Sequence, residues 1–196
     1  MEADWEIEIG QGAPVIDALW DGFVDLSAAP ERISEIEEAR GFLPLQHALL
    51  ALNSAGSTIW TAKCDFWAVQ DFDPSEMAAS EAEAGSGLGC YIDLLPKDGQ
   101  VFSSVAEAED WSRRIVAGLK PVDARCSRID LVVRQAFTGQ IDGFGVTAYI
   151  TACGAGEETA RNFLDAALES LVSVCEVRFD PNQRSDTMSL TQPTGE

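Results

Sequence analysis

Histidine is nearly missing from this chain: His47 stands alone among 196 residues. A catalytic triad or an imidazole metal centre has one such group to draw on at most. His47 itself sits beside an apolar helical stripe, with no nucleophile at useful spacing. Basic residues are scarce too, 13 against 33 acidic, for a net charge of −20. The first 89 residues hold 3 bases and 17 acids. Such a field opposes nucleic acid and anionic membrane, which are bound through lysine and arginine neutralising phosphate. It suits a basic protein partner or metal ions. Apolar runs stay far short of the roughly 18 residues a membrane span needs. Met1–Glu6 also lacks the basic and apolar regions of an export signal.

The five cysteines, Cys64, Cys90, Cys126, Cys153 and Cys175, are spaced 26, 36, 27 and 22 apart, so no CxxC pair exists for zinc or redox chemistry. An odd count on strand-like segments reads as reduced, buried thiols in a cytoplasmic protein. Two glycine clusters fail as phosphate loops. Gly154-Ala155-Gly156-Glu157-Glu158-Thr159 lacks the third glycine, and its two glutamates would repel a phosphate at a helix start. Gly85-Ser86-Gly87-Leu88-Gly89 precedes a strand rather than a helix. No cofactor is expected.

What the chain does have is period-two alternation. Tyr91–Leu94, Arg128–Arg134 and Val146–Thr151 each place apolar residues on one side and polar residues on the other, the mark of strands buried on one face. Between them, Ser104-Val105-Ala106-Glu107 reads as a capping box, with Val105, Ala108, Trp111, Ile115 and Leu119 on one helical face. A second helix carries Ala160, Phe163, Leu164, Ala167, Leu168 and Leu171 at helical spacing, and Cys175–Phe179 looks like a closing strand. Residues 89–179 thus predict an α+β two-layer sandwich with ferredoxin-like βαββαβ order. Its core includes Ile92, Leu94, Ile129, Leu131, Val133, Trp111, Phe163 and Leu168.

Upstream, residues 1–69 predict a β-α-β half that extends or degenerately repeats this unit. A strand lies near Trp5–Ile9 and a short edge strand at Phe23–Leu26. A helix begins near Pro30, another runs from Pro44 to about Asn53, and a long strand covers Thr58–Val69. That strand alternates Trp60, Ala62, Cys64 and Phe66 against Thr61, Lys63, Asp65 and Trp67. Residues 70–88, poor in large apolar side chains, read as a flexible acidic linker or long loop, and 180–196 as a disordered tail.

The polar sheet face is the candidate site. It gathers Trp67, Tyr91, Arg128, Arg134, Thr147, Tyr149 and Thr151 as a ligand or interface surface. The expected function is a non-catalytic binding or assembly module, working as a homo-oligomer or with a protein partner. An alternative uses the mid-strand aspartates Asp65, Asp93 and Asp130 as a divalent-metal site for phosphoryl or hydrolytic chemistry. Lys63, Arg128 and Arg134 could equally pair with those carboxylates across strands. A further alternative is an acidic inhibitor or immunity-like protein that neutralises a basic partner.

Overall fold

The computed structural model describes residues 1–97, 100–120 and 125–176. Six strands form a single mixed sheet: β1 (Glu2–Ile7), β2 (Val15–Asp17), β3 (Ile59–Val69), β4 (Ser86–Pro96), β5 (Ser127–Thr138) and β6 (Ile141–Gly154). The order is β1-β5-β6-β4-β3, and β2 joins the same edge of β5 as β1. Pairing is antiparallel except along that edge, where β1 and β2 run parallel to β5 in succession. The amino-terminal residues therefore supply both outer edges of one sheet. They extend it on both sides.

Three helices, α1 (Leu43–Leu52), α2 (Val105–Leu119) and α3 (Glu157–Glu176), pack on one face of the sheet. Ile92, Leu94, Ile129, Leu131, Val133, Val146 and Ile150 point into them and are fully buried, with Leu49, Ile115, Leu164 and Leu168 opposite. Each such side chain contributes roughly 1.5–3 kcal/mol on leaving water. Trp111 is buried and Phe163 packs partly buried at the margin. Local sequence explains the ends. Ser104 Oγ accepts from the Glu107 amide at 3.2 Å, and Glu107 reaches back to the Ser103 amide at 2.9 Å, one residue earlier than a capping box would place it. At the end of α1, buried Asn53 accepts from the Thr61 amide at 3.1 Å and donates to Thr61 Oγ1 at 2.7 Å, tying the helix to β3. Gly139, at φ +61°, turns the two-residue hairpin between β5 and β6.

Several expectations need correction. Cys175 and Glu176 belong to α3 rather than to a closing strand; Val177–Phe179 lie outside the described residues. Both edges of β4 are already taken, by β6 and β3, so the place beside it that a closing strand would fill is occupied. Phe23–Leu26 forms no strand, and the short edge strand is Val15–Asp17 instead. Residues 70–88 hold two 3-10 turns, Pro74–Met77 and Glu81–Glu83, and the start of β4, and they bury Met77 against Cys126 and Cys153. Trp60, Thr61 and Ala62 lie on the faces opposite to those expected. The register jumps between Thr61 and Cys64, so Ala62-Lys63 on β3 oppose Asp93 alone. That bulge inverts the alternation on one side of it. Trp60 thus faces away from the helices, beside Leu95, and Thr61 faces α1. The expected tail, 180–196, lies outside the described residues.

Candidate functional site

The second face of the sheet is covered at its two ends and open between them. At one end Ile16 and Ala18 pack with Trp60, Leu95, Val101 and Ala136, and Phe23 meets the Trp60 ring edge-on at 5.4 Å. At the other, Phe72 and Met77 cover Cys126 and Cys153. Glycine makes these crossings possible: a Cβ at Gly145 would stand 2.9 Å from Ile16, and one at Gly87 2.5 Å from Phe72. The strip left between carries all ten residues singled out above. Trp67 and Asp65 come from β3, Tyr91 and Asp93 from β4, Thr147, Tyr149 and Thr151 from β6, and Arg128, Asp130 and Arg134 from β5.

Arg134 is the hub of its polar part. Its side chain is 11% exposed and donates to Glu8 Oε2 at 2.6 and 3.1 Å, to Tyr149 Oη at 3.0 Å and to Thr147 Oγ1 at 3.3 Å. Burial works against its charge, and the bonds to Glu8 and Tyr149 outweigh that, raising its pKa further. Thr147, itself buried, in turn donates its hydroxyl hydrogen bond to Asp93 Oδ1 at 2.6 Å. Asp93 is 5% exposed, and burial pushes its pKa up to about 6 despite the Thr147 bond and the nearby Arg134 and Lys63 charges. Arg128 makes a separate pair, Nε to Asp130 at 2.7 and 2.9 Å, along its own strand rather than across strands. Thr151 stands between Arg128 and Gly89 in the ladder.

The aromatic part is a row across three neighbouring strands. Trp67 and Tyr91 rings lie 6.3 Å apart, Tyr91 and Tyr149 rings 6.0 Å apart, all tilted. Gly89 lets Trp67 lie down on β4: a Cβ there would come within 3.0 Å of the indole. Burial, with Asp93 and Asp65 adding to it, pushes the Tyr91 hydroxyl up to about 12. Two cavities flank the tyrosines. One, of about 340 Å³, is lined by Trp20, Glu38, Lys63, Asp65 and Tyr91 among others. The other, of about 330 Å³, is lined by Asp4, Glu6, Arg128, Asp130, Arg134 and Tyr149 among others.

The three aspartates do not meet. Asp93 is held by Thr147, Asp130 by Arg128, and Asp65 turns its Oδ1 to the Phe66 amide at 2.7 Å. Among the described residues no group of three histidine, cysteine or carboxylate side chains is placed to hold a metal ion. His47 lies in a different cleft with Asp165 and Glu169, between α1 and α3. All five cysteines are free and buried, and burial pushes Cys64 and Cys175 up to about 12 and Cys153 to about 11, so these thiols stay protonated near neutrality.

Sequence reasoning missed Glu8, Trp20 and Glu38. Glu8 had a signal: Glu2, Asp4 and Glu6 alternate along β1 with Glu8 next in the same period just past its end, and the β5 register sets the first three on the polar face. Trp20 and Glu38 come from loop and turn segments, for which period two says nothing. Comparison of the chain with protein-family models, curated proteins and solved structures gives no match. Among the described residues no helix is long and apolar enough to cross a membrane.

Proposed function

We propose that this chain is a non-catalytic binding module that receives a protein partner on the open strip of its sheet. The observation that carries this reading is the aromatic row Trp67–Tyr91–Tyr149, left uncovered between two packed ends of one face, with Trp67 37% exposed. Aromatic side chains anchored beside arginine are what association surfaces favour. Arg134 braces Tyr149 through both the hydroxyl and the ring face, at 5.4 Å from the ring centroid, so that part of the surface is pre-organised. A partner other than a second copy is favoured, because two chains of charge −20 repel. The same charge argues against nucleic acid.

The scaffold itself we read as a two-layer, ferredoxin-like unit in permuted order. β4-α2-β5-β6-α3 supplies βαββα, and β3, arriving from upstream, takes the edge that a closing strand would fill. Five free thiols fit a reducing compartment such as the cytoplasm.

A photo-crosslinking residue at position 149 or 67 tests the binding reading in cells that make the protein. The expected result is an adduct of one defined mass from both positions and none from Glu169 on α3. Unlabelled wild type should compete it away, and Tyr91→Ala should not. Equal labelling from position 169, or no competition, overturns the reading. Sedimentation of the purified chain separates the self-association alternative, for which a concentration-dependent dimer is the signature.

A further inference from the structure

Resting on the strip as a binding surface, we propose that its partner is an extended basic segment, and that one of its arginine or lysine side chains enters the cavity between Trp20, Tyr91 and Asp65. The walls of that cavity suit a cation. Of its four carboxylates, Glu35 is held by Arg32 at 2.7 Å and Glu37 stands 3.7 Å from Arg40, whereas Glu38 and Asp65 have no ion-pair partner among the described residues. The neighbouring acids of this chain feel the surplus. The Cys64 thiol and the Tyr91 hydroxyl are pushed up first by burial and then by surrounding carboxylates, Glu38 and Asp65 for the thiol, Asp93 and Asp65 for the phenol. The aromatic wall already receives one ammonium: Lys63 lies over the Trp20 ring, 5.1 Å from its centroid. Tyr91 offers a second ring beside Asp65, facing the strip.

The same logic holds on the far side of the tyrosine pair. There Arg134 is engaged by Glu8 and Arg128 by Asp130, which leaves Asp4 and Glu6 to give the second cavity its charge. The sheet edges direct the partner across the face rather than alongside it. On β3 the Phe66 amide is capped by Asp65 at 2.7 Å, and on β1 the Trp5 amide is capped by Asp4 at 2.8 Å, so an added strand meets a carboxylate at either edge. From β3 across β4 and β6 to β5 are three strand spacings, roughly 14 Å. An extended chain covers that in about four residues. The matching ligand has basic side chains four residues apart.

Fluorescence anisotropy with two labelled peptides tests this directly, one with arginines four residues apart and one with glutamines at the same positions. The arginine peptide should bind at least about tenfold more tightly. The double variant Glu38→Gln, Asp65→Asn should reduce that preference to below about threefold, since it removes two exposed charges and no packing. Asp165→Asn with Glu169→Gln, in the helix-side cleft, should leave the preference intact. Equal loss from both pairs, or no loss from the first, overturns the cationic pocket. If the two peptides bind alike and both are weakened by Tyr149→Ala, the basic partner is wrong and the strip stands. If Tyr149→Ala and Trp67→Ala leave all binding unchanged, the strip itself is wrong.

Discussion

The two faces of this sheet are built from the same strands and follow opposite rules. Toward the helices, Ile92, Leu94, Ile129, Leu131 and Val133 are interlocked alkyl side chains with no polar obligation, and their stabilisation scales with the area removed from water. Away from them, Asp93, Thr147, Arg134 and Glu8 form a chain in which each group depends on the next. The first face holds the fold together through close-packed buried area. The second pays for a buried carboxylate and a nearly buried guanidinium, and what it gains is a rigid, patterned surface. A face that costs stability and stays uncovered at its middle is where binding is to be sought.

Truncation on the alkyl face gives the largest expected effect. Leu131→Ala should lower the unfolding free energy by about 3–4 kcal/mol in urea titration. Thr151→Ala on the opposite face should cost under about 0.5 kcal/mol. Similar values for the two would erase the distinction between the alkyl face and the polar one.

Asp93 sharpens the comparison through pH. Its folded pKa, about 6, stands above its ordinary 3.8, so the folded protein takes up a proton that the unfolded chain does not. The sign follows: this contribution is fully present below about pH 4 and is lost as pH rises through 6. The gap between 3.8 and about 6 corresponds to about 3 kcal/mol at most. Asp93→Asn should therefore be level with the wild type near pH 4 and more stable near pH 7 by up to about 2–3 kcal/mol. Unfolding curves of both proteins at intervals between these limits measure the difference. A constant gap across the range would show that burial does not set this carboxyl's charge.

A smaller effect probes how the aromatic row is seated. Gly89→Val should cost about 1–2 kcal/mol, because the new side chain displaces the Trp67 indole that now lies 3.0 Å from the Cβ position. In a Trp67→Ala background the same change should cost less, leaving only the Val69 methyl 3.2 Å from the Cβ position to give way. The coupling in that double-mutant cycle reads out the contact. Independent effects would mean that Trp67 is not laid down on β4.

Legibility in the sequence divides along a physical line. Alternation is local, carried by each strand's own residues, so Tyr91, Asp93, Arg128, Asp130, Arg134, Thr147, Tyr149 and Thr151 could be assigned to one face before any pairing was known. Helix spacing likewise marked α2 and α3, with Trp111, Leu164 and Leu168 inward. Partners and interruptions are non-local. That β3 takes the free edge of β4 depends on competition between distant segments for one row of backbone groups. That Trp60 turns over depends on a bulge at Ala62-Lys63, which carries no pattern of its own. Whether three mid-strand aspartates converge depends on register: Asp93 falls opposite Thr147, and Asp130 opposite Tyr149. The chain's own order thus settled which residues look outward; only the folded sheet decided which of them meet, and how much of their face residues 15–24 and 72–77 would cover, because both follow from contacts between residues far apart in the chain.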